Sequence, residues 1–523
     1  MLETSPTADN AKPASAKPKV IRNVVSNWGA YVLAMGVNFF LSPYVVRHLG
    51  DNGYGVWTLI LSLTGYLGLL DLGVRGAVTR YVAKFHSQAD HKNASNVASS
   101  AMLIFSSAGL IAFLTSLVFS TLIVGRLRIP SQYLGASRFV LIITGLSIAA
   151  SLVNGVYGGI LVGLQRFDLT NGIEIANNLL RTITIVLFLD LGYGIITLAL
   201  IQLAFTLARL VANFSLARHF YPELRINPAL ADRAGTKLIF SFSIYSFLMH
   251  VSASLIYASD NVVIGAFLPV SAVTFYAIGG NLAEYTRTLV AGISQTMTPL
   301  ASSTEAKKDH ALLEKIVLFG SRAGTMVVLP IALTLMIRGG TFIGLWMGQE
   351  YADLSGKVIR ILSLTLLLWA ANSVTGGTLL GLSKHKPIVP MLMAEGICNL
   401  ALSIFLVRRM GIVGVAWGTV IPSVASTLIF WPWYIRRALG IRPLTYAVSA
   451  WVRPIVAVVP FAVATIAIER YWPVEHLFVF FSQVALVLPL ALAGYWLVCL
   501  DGTQRTEYSR GISKSFERAF ARG

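Results

Sequence analysis

Apolar residues in this chain come in long continuous runs, from about residue 26 to about residue 500, with only short polar breaks. Runs of roughly twenty apolar residues match the hydrocarbon thickness of a bilayer. These are too long and too continuous for the alternating strands of a membrane barrel. In lipid every backbone N–H and C=O must bond within its own segment, so each run predicts a helix. About fourteen spans are expected, near 26–46, 54–72, 97–124, 140–162, 172–189, 192–214, 238–268, 273–300, 317–336, 361–382, 388–407, 412–434, 451–468 and 477–500. The fold class is therefore all-α and polytopic.

The polar breaks carry the topological signal. Lys12, Lys17, Lys19 and Arg22 precede the first run, and Arg75, Arg80, Lys84 and Lys92 follow the second. Arg218, Arg225, Arg233 and Lys237 lie after the sixth, Lys307, Lys308 and Lys315 after the eighth, and Lys384 and Lys386 after the tenth. Arg436, Arg437 and Arg442 follow the twelfth, and Arg505, Arg510, Lys514, Arg518 and Arg522 the last. Basic residues in every second gap predict an inner-membrane protein with both termini in the cytoplasm. The net charge of +18 thus belongs to membrane orientation and not to nucleic acid.

At 55% hydrophobic and 12% charged, the chain has more apolar surface than a soluble fold can hide. Cys398 and Cys499 fall inside apolar runs, far apart, and are expected to pack rather than form a disulfide. No metal-ligand cluster or phosphate loop appears in the sequence, so no cofactor is expected. Residues 1–25, polar and without a signal-peptide core, read as a disordered cytoplasmic tail. In the tail from 501 to 523, Ile512, Phe516 and Phe520 recur every four positions among basic residues, the pattern of an amphipathic helix on the inner leaflet or of a solvated basic tail.

The chain also resembles itself at a spacing of about 218 residues. The segment from Gly158 to Arg166, Gly-Gly-Ile-Leu-Val-Gly-Leu-Gln-Arg, reads against Gly376 to Lys384, Gly-Gly-Thr-Leu-Leu-Gly-Leu-Ser-Lys. Asn154 matches Asn372, and Gly192 roughly matches Gly411. An even number of spans separates the copies, so the repeats are parallel, a transporter signature. Residues 26–217 and 238–434 would form two six-helix lobes joined by a linker at 218–237. Residues 435–500 would add a loop and two further spans.

Ionisable residues at membrane depth are costly and usually face a cavity or a partner. Arg287 is the first candidate, with Glu284 one turn before it; Arg suits a diphosphate because its planar donors bind two oxygens at once. A purely structural Glu284–Arg287 ion pair is the competing reading. Asp260, followed by Asn261, is a candidate ion-coupling carboxylate, or the partner of an arginine across the lobe interface. Arg181, with Glu174 two turns before it, is a weaker cavity candidate. Asn154 and Asn372 are candidate cavity residues whose default role is interhelical hydrogen bonding. Asp71, Arg75 and Arg80, at the cytoplasmic end of the second span, are candidates for guiding an anionic headgroup inward, with topology signalling as the default role. Arg209 and Arg322 are near helix ends and can snorkel, and His250 is expected to be a packed neutral histidine.

The opening residues Val45-Val-Arg-His-Leu-Gly-Asp-Asn-Gly-Tyr-Gly-Val-Trp-Thr-Leu59, then Gly68-Leu-Leu-Asp-Leu-Gly-Val74 and Arg80-Tyr-Val-Ala-Lys84, resemble bacterial polysaccharide-biosynthesis flippases of the multidrug/oligosaccharidyl-lipid/polysaccharide exporter superfamily. Ser259-Asp-Asn-Val-Val-Ile-Gly265 resembles the opening of that family's second lobe. The resemblance implies a V-shaped pair of lobes around a central cavity. It implies a transporter and not an enzyme, carrying undecaprenyl-diphosphate-linked oligosaccharide by alternating access for surface polysaccharide or lipopolysaccharide synthesis. Membrane lipids, and a polysaccharide polymerase with its chain-length machinery, are the implied partners. The family often carries an arginine after the seventh-span aspartate; here Asn261 stands there, which raises the importance of Arg287. A lipid II flippase and a drug/cation antiporter of the same superfamily are the alternatives. A membrane glycosyltransferase or polymerase would need a large catalytic outer loop, and the longest candidate, about 337–360, is small.

Overall fold

The computed structural model describes residues 17–306, 309–502 and 504–506, and among these it contains helices and no strand. Helix α1 (Lys17–Gly65) starts within the segment expected to be a disordered tail and takes in the first expected span and most of the second, with Gly50 at φ 65° and ψ 173° dividing them. That backbone geometry is open to glycine and closed to most side chains. A 3-10 turn then leads through left-handed Leu72 and Gly73 into α2 (Val74–Ser87). The first half of the chain continues with α3 (His91–Leu122), α4 (Ser131–Gly163), α5 (Phe167–Asp190) and α6 (Ile195–Phe220). Asp90 caps α3 by accepting from the Asn93 amide at 3.0 Å, and these bonds hold its carboxyl below the ordinary carboxylate range.

The second half holds α7 (Arg233–Tyr257), α8 (Ser259–Phe267), α9 (Ser271–Ala306), α10 (His310–Trp346), the single turn α11 (Gln349–Ala352), α12 (Leu354–Gly381) and α13 (Ile388–Ala425). One expected span at 238–268 is therefore two helices, separated at Ala258 just before Asp260. The expected outer loop at 337–360 is mostly helix as well, leaving little irregular backbone for a catalytic loop. After a π-helical turn come α14 (Trp431–Leu439), α15 (Pro443–Ala447), α16 (Arg453–Tyr471) and α17 (Leu477–Gly494). The pattern Ile512, Phe516 and Phe520 lies outside the described residues.

Eleven helical runs among the described residues are long and apolar enough to cross a membrane, so the protein is a multi-pass membrane protein. Two of these runs, 33–87 and 388–439, contain left-handed glycines, Gly50 and Gly411. Helix α9, which carries Glu284 and Arg287, is not among the eleven.

The backbone repeats with the sequence. Gln165 and Ser383, 218 positions apart like the motifs that contain them, both have positive φ, 59° and 56°. Each closes its helix in the same way: Gln165 N–H donates to Val162 O and Arg166 N–H to Leu161 O, just as Ser383 donates to Leu380 O and Lys384 to Leu379 O. Gly192 and Gly411 share the left-handed region too, at φ 83° and 59°. The paired asparagines likewise bond to the last helix of their own half: Asn213 Nδ2 donates to Asn154 Oδ1 at 2.8 Å, and Asn372 Nδ2 to Thr427 Oγ1 at 2.9 Å.

Three packing devices position the centre of the molecule. First, α9 and α12 meet at backbone distance. Thr298 Oγ1 donates to Gly377 O at 2.9 Å, and a Cβ on Gly381 would lie 2.3 Å from Thr298 O. Small residues at such crossings replace the hydrophobic drive that lipid removes. Second, the linker is tied to α3 by its serines: the amides of Arg225, Asn227 and Asp232 donate to Ser95, Ser99 and Ser100 at 3.1, 3.1 and 3.2 Å. Third, Arg338 on α10, only 1% exposed, holds the two final helices through Glu469 on α16 and Gln483 on α17, both at 2.7 Å.

Candidate functional site

A polar cavity of about 500 Å³ lies between the two halves of the protein. Its first-half wall is the second part of α1, with Thr58, Leu61, Ser62 and Gly65. Its second-half walls are α7, α8 and α9, closed by Leu362 of α12 and Thr419 of α13. Asp260, Asn261, Glu284 and Arg287 all line it. These four sequence candidates, two on α8 and two on α9, thus meet in one chamber.

Arg287 is held on two sides. Its Nε donates to Glu284 Oε2 at 3.0 Å, and its guanidinium lies 4.3 Å from the centre of the Tyr257 ring. Its side chain is 12% exposed, whereas Glu284 is 58% exposed. Arg287 therefore both pairs with Glu284 and lines the cavity. Glu284 keeps the guanidinium oriented, and the pair presents its remaining donors within the chamber.

Asp260 is almost fully buried and has no Lys, Arg or His within salt-bridge distance among the described residues. The Tyr276 hydroxyl and the Thr419 hydroxyl, the latter at 2.9 Å, both donate to its Oδ2, while Oδ1 is buried without a hydrogen-bond partner. The expected arginine across the lobe interface is replaced by two hydroxyls of the same half. Asn261 makes the cross-half contact instead, donating from Nδ2 to Ser62 Oγ at 3.0 Å.

The remaining candidates separate from this group. Arg75, beside Asp71 at 3.7 Å, lines a second cavity of about 450 Å³ that shares Gly65, His250 and Ser254 with the first. His250 is exposed to these cavities and not packed in the core, contrary to expectation. Arg80 is exposed on α2, where its guanidinium lies 5.9 Å from the Tyr81 ring centre. Arg181 belongs to a polar cluster inside the first half, donating to Gln202 at 3.1 Å and Asn178 at 3.4 Å. Glu174 pairs there with Arg209 at 3.0 Å and not with Arg181. Arg322 is buried, at 5% exposure. Asn154 is buried at 5% against Asn213. Asn372 faces a third cavity, of about 380 Å³, enclosed by the second half alone.

Tyr257, Tyr276 and Thr419 complete the first chamber and carried no sequence signal. A hydroxyl in an apolar helix usually bonds its own backbone, and Thr419 is far from Asp260 along the chain. Only the crossing of α13 with α8 brings them together.

Comparison with known proteins agrees with this architecture. The family described as "Polysaccharide biosynthesis protein" matches residues 20–305, and the family described as "MatE" matches residues 246–406. A Shigella flexneri protein named "Putative O-antigen transporter" is 22% identical over 420 residues, covering 80% of this chain and 98% of that protein. The Haloferax volcanii protein named "Probable flippase AglR" is 21% identical, covering 79% and 82%. A solved structure titled "Lipid II flippase MurJ, inward closed conformation" superposes with a TM-score of 0.69 at 14% identity, over 91% of this chain and 98% of that one, which establishes the shared fold.

Proposed function

Because this chain belongs to the polysaccharide biosynthesis protein family over residues 20–305, we propose that it is a flippase that moves a prenyl-diphosphate-linked oligosaccharide from the cytoplasmic to the outer leaflet. One observation carries the reading: a polar chamber walled by both halves, with Arg287 as its mostly buried cation. A saccharide and a diphosphate cannot enter hydrocarbon, but a chamber between lobes can shield them while the prenyl tail stays in lipid. Arg287 receives the diphosphate, because charge-assisted bidentate bonds to phosphate oxygens exceed what Glu284 alone provides. Arg75 lines the adjoining cavity and draws the headgroup inward. Asp260 is the ion-coupling group, and rocking of the halves about the chamber gives alternating access.

The protein crosses the bacterial inner membrane fourteen times in this reading: the eleven apolar runs, with the two glycine-broken runs each counted twice and α9 added. Both termini are cytoplasmic, following the basic loops. The polymer-forming polymerase and its chain-length machinery are the natural recipients on the outer face. The names of the relatives and the family match support this assignment.

The test is delivery of labelled prenyl-diphosphate oligosaccharide to the far leaflet of liposomes by the purified full-length protein. Arg287→Gln should lower the initial rate by about tenfold or more, the loss expected for a charge-assisted hydrogen bond to phosphate. Normal rates in that variant remove Arg287 from the site. Drug efflux without lipid delivery overturns the flippase reading itself.

A further inference from the structure

The third cavity is separate in shape but adjacent in position. It shares Ala253 and Tyr257 with the interlobe chamber, so the Tyr257 side chain that receives Arg287 on one side borders the third cavity as well. Its lining is unlike that of the chamber. Two indoles, Trp369 and Trp431, provide broad apolar walls, and no Lys or Arg lines it among the described residues. Besides hydroxyls, its polar side chains are Asn372, Glu395 and His385. Asn372 is 3% exposed; its Nδ2 is spent on Thr427, while Oδ1 is buried with no hydrogen-bond partner. The Glu395 carboxylate accepts from Ser426 Oγ at 2.6 Å through Oε2. His385 Nδ1 is buried without a partner, and burial together with the neighbouring Lys386 charge lowers the imidazole's proton affinity, which favours its neutral, accepting form.

We propose that this cavity is a saccharide subsite, which takes the sugar nearest the diphosphate while Arg287 holds the diphosphate next door. A pyranose has two kinds of surface, C–H faces that stack on aromatic rings and a rim of hydroxyl donors. Trp369 and Trp431 match the first; Asn372 Oδ1, Glu395 and His385 Nδ1 match the second. An acyl tail or an apolar drug would leave those buried acceptors unpaired, and a phosphate would face Glu395 with no lining cation. The volume of about 380 Å³ suits a small ligand and not a whole oligosaccharide, so distal sugars remain in the chamber.

The inference rests on the flippase reading, and one experiment separates their failures. The full-length protein is loaded with the lipid extract of the cells that make it, and native mass spectrometry reads the retained saccharide-bearing and bare prenyl diphosphates. Wild type should prefer the saccharide-bearing form. Glu395→Gln and Trp369→Leu should each lower that preference by about tenfold while keeping retention of the bare carrier within about twofold. Arg287→Gln should lower retention of both. Thermal melting identifies any variant that fails to fold, and Asn372→Ala provides an independent third probe of the same preference. An unchanged preference in all three cavity variants overturns the subsite, and so does an equal loss of both carriers. No retention of either carrier by wild type removes the flippase reading and the subsite with it.

Discussion

At Asp260 two hydroxyls, from Tyr276 and Thr419, converge on one carboxylate oxygen and leave the other buried without a partner. An amide oxygen at the same place accepts the same two bonds. Asp260→Asn should therefore keep stability within about 1 kcal/mol in thermal melts. It should nonetheless abolish any dependence of transport on an imposed ion gradient, because the amide cannot exchange a charge. Gradient-dependent transport by that variant would exclude Asp260 as the coupling group. Asp260→Leu strands the buried Tyr276 hydroxyl and should cost about 1–3 kcal/mol. Asp260 is legible in the sequence because a carboxylate in an apolar run is conspicuous. Its partners are not, since tyrosines and threonines occur throughout such runs.

Hydrophobic run length places α3 to α6, α12, α16 and α17 close to where they stand. It fails at breaks and extensions. Nothing apolar marks the division of α7 from α8 at Ala258, and α10 runs well past its apolar stretch to Trp346. The pairing of Arg338 with Glu469 was also beyond it, because these residues meet only when α16 docks on α10. Removing one member of a buried pair leaves the other uncompensated, at about 3–5 kcal/mol. Glu469→Ala should accordingly melt earlier and loosen α16 and α17 toward hydrogen exchange. The double change Arg338→Met with Glu469→Leu should recover most of the loss, and equal destabilisation by both would refute the account.

The two halves of the molecule meet through several hydrogen bonds, among them Asn261 to Ser62, Thr274 to the Asp51 carbonyl and Trp346 to the Phe39 carbonyl. Alternating access requires the contact of Asn261 with Ser62 to open and close. In a background with Cys398 and Cys499 replaced by Ser, the pair Ser62→Cys and Asn261→Cys should form a disulfide under oxidation. Transport in liposomes should then stop, and return with reductant. Full transport by the cross-linked protein would mean the halves do not separate there.

Chain order alone determined the membrane class, the approximate spans, the parallel repeat and the short set of charged residues worth attention. Each follows from what neighbours in the chain show: the length of an apolar run, the cost of a charge in lipid, or a Gly-Gly motif that recurs 218 positions on. Tertiary structure decided which of those residues share a chamber. It put Asp260, Asn261, Glu284 and Arg287 together, kept Arg181 inside the first half, and set Asn372 behind Tyr257 in a cavity of its own. The sequence could not, because a side chain's neighbours across a helix crossing depend on rotation and depth, and hydrophobic periodicity is nearly blind to both in helices that are apolar on every side.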